Sequence, residues 1–146
     1  DRIDIAQAAA QQLRETGINC TVEIPAQMDW GGQMACLIGW GSPFDADDHT
    51  YKVFGTDKGA NYSSYSNEKV DEYLSLARQS DDPEVRKEYY GKFQEELAED
   101  PAYAFICYID ANYVADSGIQ RLSKDSVLGH HGVGIFWNIQ DWTMTE

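Results

Sequence analysis

The sequence is short of bases. Eleven lysines and arginines stand against 25 aspartates and glutamates, a formal net charge of −14, and a surface of that sign repels a phosphate backbone. Nucleic acid is not an expected partner. An anionic membrane surface is disfavoured for the same reason, so membrane attachment is expected only through an anchor outside this chain. No apolar run approaches the roughly 18 residues that a membrane span needs. Cysteine is scarce as well. Cys20, Cys36 and Cys107 are odd in number and include no CxxC pair, which gives neither a zinc site nor a complete disulfide framework. Each lies in an apolar stretch, and buried thiols acting as small hydrophobes are the expectation. GxSxG, GxxxxGK[ST] and GxGxxG are all missing, so neither a nucleophile elbow nor a phosphate loop is in view. No catalytic residue, cofactor or resident metal is assigned.

What is present is a globular composition, 42% hydrophobic over 146 residues, enough for one domain with a core of its own. The chain begins at Asp1 and enters helix-forming sequence at once, as expected of a mature product or, preferably, an excised fragment. Ala6, Ala9, Ala10 and Leu13 follow the helical period and Gly17 is a natural left-handed cap, which predicts a helix over about residues 2 to 16. Asn19 to Ile24 alternates apolar and polar residues and reads as a strand stopped by Pro25. Met34 to Trp40 reads as a strand buried on both faces.

Beyond a loop rich in Gly, Asp, Ser and Tyr, the spacing of Val70, Tyr73, Leu74 and Ala77 predicts a helix over about 67 to 79, capped by Ser66 or Asn67. Asp82, Pro83 and Glu84 form a helix start. Val85, Tyr89, Phe93 and Leu97 give that helix an apolar stripe ending before Pro101. Ala102 to Ile109 reads as a buried strand and Asn112 to Ala115 as a weaker one. Helices and strands alternate, so the class is α/β. From Asp125 the period is lost, and the end of the chain reads as an irregular or strand-forming tail.

The densest polar cluster is Asp45, Asp47, Asp48 and His49. Close carboxylates can chelate a hard cation, but the run lacks the glycine and distal glutamate of an EF-hand loop, and one histidine does not make a transition-metal site. Carboxylates capping a following helix or turn are the plainer reading, and direct contact with a ligand is a third. A small metal-dependent hydrolase built on these four residues is the rival function from another class. His130 and His131 are adjacent and read as surface or tail-packing residues. Trp40 closes an apolar run and opens into Gly41, Ser42 and Pro43. Ligands of open α/β sheets bind beyond the carboxyl ends of strands, so its indole is either a stacking surface or core filling.

From Ile5 to about Asp116 the chain resembles the C-terminal lobe of family 5 extracytoplasmic solute-binding proteins, the dipeptide, oligopeptide and nickel receptors of ABC importers. The resemblance is carried by IAQAAAQQLRETGINCTVEI, LIGWGSPFDADD and, most specifically, NYSSYSNEKVDEYLSLARQSDDPEVRKEYYGKFQEELAEDPAYAF. It implies one lobe of a type II periplasmic-binding-protein fold, with a mixed sheet flanked by helices. Residues 1–124 would form the lobe and 125–146 a tail that packs on the missing N-terminal lobe, with Trp137 and Trp142 exposed without it.

It further implies an extracytoplasmic, non-enzymatic protein that holds a small peptide or metal-chelate ligand between lobes and docks on importer membrane subunits. Trp40 matches the family's cleft tryptophan; with Phe44 it would form an aromatic wall, with Asp45 as a polar contact. Peptide receptors commonly carry an aspartate three residues after that tryptophan, where this sequence has Pro43. The run WGSPFD instead resembles the nickel-complex receptors, with Phe44 in place of a tyrosine, and the stretch from Thr56 to Ala60 lacks their histidine. PAQMDWGGQ stands where the family has a helix. A protein-interaction module using the aromatic tail is the remaining alternative.

Overall fold

The computed structural model describes residues 2–30, 35–41, 45–108, 112, 114–121 and 134–145, with the side chains of 134, 135 and 137 left out. The chain divides into two compact units, Asp1–Gly39 and Trp40–Glu146.

In the first unit, helix α1 spans Arg2–Glu15. Its end follows from Gly17, whose φ of +90° is open to glycine at little cost. The Gly17 N–H donates to the Arg14 carbonyl at 3.0 Å and the Ile18 N–H to the Leu13 carbonyl at 3.0 Å, the paired bonds of a Schellman ending. Ala10 is buried, while Leu13 of the expected stripe is exposed.

The second unit is built on three helices: α2 (Asp47–Phe54), α3 (Glu68–Arg78) and α4 (Pro83–Glu99). Of the two candidate caps for α3, the structure uses Asn67, whose Oδ1 accepts from the N–H groups of Lys69 and Val70 at 3.0 and 3.2 Å. Asp82 caps α4 by accepting from the Glu84 N–H at 2.9 Å, with Pro83 in the first turn. The core is Val70, Leu74 and Ala77 of α3 against Tyr90, Phe93 and Leu97 of α4. The apolar stripe of α4 is therefore rotated from the expected one. Phe93 and Leu97 hold their places, but Tyr90 is buried where Tyr89 was expected, and Val85 and Tyr89 are half-buried. Adjacent tyrosines offer two possible faces, and α3 selects one. Phe54 of α2 joins this core through Phe93, with ring centroids 5.4 Å apart, and through Tyr103 at 5.7 Å.

The helices and a small antiparallel sheet are consistent with the α/β class. Among the described residues the only strands are β1 (Ile119–Gln120) and β2 (Thr143–Met144), paired antiparallel. The expected mixed sheet is not found among them. Residues 19–24, 35–40, 102–108 and the described part of 112–115 form no ladder. The reason lies in what each segment meets. Strand propensity reports how well a side chain fits a half-buried pleated surface, and here Phe105, Tyr108 and Val114 are exposed.

The cysteines follow the same logic. Cys36 and Cys107 are exposed and Cys20 is half-buried, so the expected burial fails together with the strands that would have supplied it.

The expected boundary at 124/125 and His130 and His131 lie outside the described residues. The described part of the tail turns back to β1. Asn138 is buried, donates Nδ2–H to the Arg121 carbonyl at 3.2 Å, and accepts from the Trp142 indole N–H at 3.0 Å.

Candidate functional site

Trp40 is 36% exposed. Two rings support it. The imidazole of His49, on the first turn of α2, lies 5.5 Å from the indole and tilted by 46°, and the Tyr62 ring lies 6.2 Å away and nearly parallel at 9°. The indole is thus backed by other rings and still open to solvent. Such a surface can stack on a planar or apolar group. The His49 Nδ1 atom is buried and has no hydrogen-bond partner; the nearest carboxylate oxygen, Asp48 Oδ2, is 4.0 Å away.

Tyr62 is brought to Trp40 by a loop organised around Asn61. The Asn61 amide donates to the carbonyls of Gly55 at 3.0 Å and Tyr65 at 2.7 Å, and its oxygen accepts from the Tyr65 N–H at 3.0 Å. The Thr56 N–H donates to Asp71 Oδ1 at 2.8 Å, which ties the loop to α3. Gly55 closes α2 with no room for a side chain, since a Cβ there would lie 2.7 Å from the Tyr51 carbonyl oxygen.

The acidic cluster is partnered throughout. Asp45 accepts from the Asp47 N–H at 2.8 Å and takes Arg86 Nη2 on both oxygens, at 2.6 and 2.8 Å. The Asp47 N–H and the Arg86 guanidinium together hold the Asp45 carboxyl below the ordinary aspartate range. Asp47 pairs with Arg78 Nε at 3.1 Å, and Asp48 with Lys52 at 3.0 Å one turn along α2. The Arg78 guanidinium also lies 3.8 Å over the Tyr51 ring. The Tyr51 phenol is held below its usual value first by Lys58 and then by Arg78. Burial, followed by the charge of Asp47, pushes the Tyr90 phenol up.

These carboxylates therefore start a helix and pair with cations. Among the described residues no group of three or more His, Cys, Asp or Glu side chains is arranged to hold a metal ion. Phe44 lies outside the described residues. His49 and Tyr62 are the neighbours that sequence reasoning did not place beside Trp40. Tyr62 sits within the NYS segment of the family resemblance, the one signal that pointed to its loop.

No protein-family model matches the sequence. Protein XP55 of Streptomyces lividans is 34% identical over 120 residues, which cover 77% of this chain and 22% of XP55. NikZ from Campylobacter jejuni, solved in complex with Ni(L-His), matches 96% of this chain with a TM-score of 0.74 and 32% identity. The chain is similar to part of a solute-binding protein. It spans 30% of the NikZ chain and 22% of XP55, so less than a third of either. No helix among the described residues is long and apolar enough to cross a membrane.

Proposed function

We propose that this chain is the C-terminal lobe of the substrate-binding component of an ABC importer for peptides or related small solutes, holding its ligand in a cleft against a second lobe. The observation that carries the reading is the Trp40 indole, supported by His49 and Tyr62 yet open to solvent. The likeness to NikZ over nearly the whole chain supports it.

Trp40 and Phe44 form the aromatic wall and Asp45 a polar contact. The residues 125–146 pack on the second lobe. Binding is non-covalent, with no catalytic residue and no resident metal or cofactor. Closure of the two lobes about a hinge buries the ligand and presents a closed surface to the importer's membrane subunits. The protein works outside the cytoplasm.

The state of Asp45 bears on ligand type. A buried, unpaired ammonium costs several kcal/mol, so a receptor for free peptide termini needs a carboxylate to spare. Pro43 supplies none, and the Asp45 carboxylate is already paired with Arg86. The test is a competition, in a receptor carrying both walls of the cleft, between one peptide and its N-acetylated form. The expected loss on acetylation is less than about tenfold, roughly 1.4 kcal/mol. A loss of a hundredfold or more, abolished by Asp45→Asn, would identify Asp45 as an ammonium anchor and overturn this reading of its role.

A metal-chelate ligand is the second reading, favoured by the Ni(L-His) bound to NikZ. A chelated metal brings its own donor atoms and asks of the protein rings and hydrogen bonds. Calorimetry with nickel and L-histidine together, against each alone, separates the two ligand classes.

A further inference from the structure

We propose that Arg78 and Arg86 are positioning residues for the Trp40 wall: they fasten the acidic start of α2 to α3 and α4, and so keep His49 seated against the indole. The inference rests on reading Trp40 as a ligand-contacting ring.

Helix α2 has eight residues, too few to be stable without tertiary contacts. Its two ends are held differently. The C-terminal end is anchored by apolar packing, with Val53 buried and Phe54 against Phe93 and Tyr103. At the N-terminal end the contacts among the described residues are the His49 ring against Trp40 and a set of ion pairs. Asp45, Asp47 and Asp48 gather there within four positions, where the helix dipole favours them but their mutual repulsion does not.

Two of the three are held by cations from other helices. Arg86 of α4 reaches 41 residues back to both oxygens of Asp45, at 2.6 and 2.8 Å. Arg78 of α3 takes Asp47 at 3.1 Å and covers the Tyr51 ring of the same helix at 3.8 Å, gripping α2 by an edge and a face. Tyr90 completes the network, with Arg86 5.4 Å from its ring centre and its hydroxyl 3.4 Å from Asp47 Oδ1. An isolated exposed ion pair contributes little, but a network of several charges is the case in which such pairs matter. His49 sits at this latched end, 5.5 Å from Trp40.

The test uses the full chain without ligand, so its outcome is separate from whether Trp40 contacts a solute. The indole N–H resonance of Trp40 is assigned by its loss in Trp40→Phe and followed in Arg86→Gln, Arg78→Gln and the double variant. The expected result is a shift of that resonance and greater quenching of Trp40 by acrylamide, largest in the double variant, with Arg86→Lys returning it towards the parent position. A purely structural role would lower the unfolding temperature and leave the Trp40 resonance in place below the transition. An unmoved resonance in the folded double variant overturns the proposal. Should that variant not fold, Asp45→Asn breaks the same latch from its other end. A Trp40 resonance unchanged in Asp45→Asn and in the parent chain under rising sodium chloride overturns it equally.

Discussion

The indole of Trp40 and the ring of Tyr62 lie 9° from parallel with centroids 6.2 Å apart, and the two residues are 36% and 41% exposed. Paired rings that stay this accessible offer a stacking face whose position is fixed before any ligand arrives, which lowers the ordering cost of binding. In a receptor with both cleft walls, Trp40→Ala is expected to weaken binding by about 1–3 kcal/mol while the fold persists. Calorimetry beside thermal unfolding checks this. An unfolded variant would return Trp40 to the core.

One wall offers only part of the contact surface that a cleft provides. Titration of the chain alone with a peptide mixture is therefore expected to show nothing tighter than about millimolar, or roughly 4 kcal/mol. Micromolar binding by the single chain would defeat the two-lobe reading.

Asn61 satisfies the Gly55 and Tyr65 carbonyls and the Tyr65 N–H from one side chain. Asn61→Ala leaves these part-buried groups without that partner, at an expected cost of about 1–3 kcal/mol. Urea unfolding measures the loss, and a displaced Tyr62 ring resonance would show that the same amide positions the loop.

Gly55→Ala places a methyl group 2.7 Å from the Tyr51 carbonyl oxygen and 2.8 Å from Lys58 Cγ. The lysine stem can move; the helix carbonyl cannot without opening the last turn of α2. A destabilisation of about 1–3 kcal/mol is expected from this overpacking. Parent-like stability in urea would show that the turn relaxes freely.

The Asp45 carboxyl is depressed by the Asp47 N–H and by Arg86. A group whose folded value is lowered stabilises the fold fully above its unfolded value and loses that contribution as pH falls through the folded one. The Asp45 latch is thus intact at neutral pH and is lost only below the ordinary aspartate value of 3.8. Carboxyl carbon titration by NMR is expected to place the Asp45 midpoint below that value and to move it upwards in Arg86→Gln. A midpoint that does not respond to Arg86→Gln would assign the depression to the Asp47 N–H alone.

The parts of the fold legible in the sequence are those decided within a few residues. Gly17, Asn67 and the Asp82–Pro83 pair each fix a helix end through local backbone demands, and all three act as their types predict. Trp40 stands out in the sequence as the aromatic that ends an apolar run, but its exposure is not legible there, and residues 35–40 of that run form no strand.

What could not be read depends on distant partners. Arg86 and Asp45 are 41 residues apart, and nothing in the local pattern of either announces the other. Tyr89 and Tyr90 are equivalent in composition until α3 decides which is buried. The failed strands are the same case in reverse. Ala102 to Ile109 has the composition of a strand, but a ladder belongs to two segments, and the described residues contain no partner for it.

Ala104 to Tyr108 (AFICY) is uncharged, rich in strand formers and exposed at every position. Such a segment is a template for pairing between molecules. Cys107 sits inside this segment and is exposed as well. A lysine at position 106 would place a gatekeeping charge inside this segment and is expected to lower its tendency to pair.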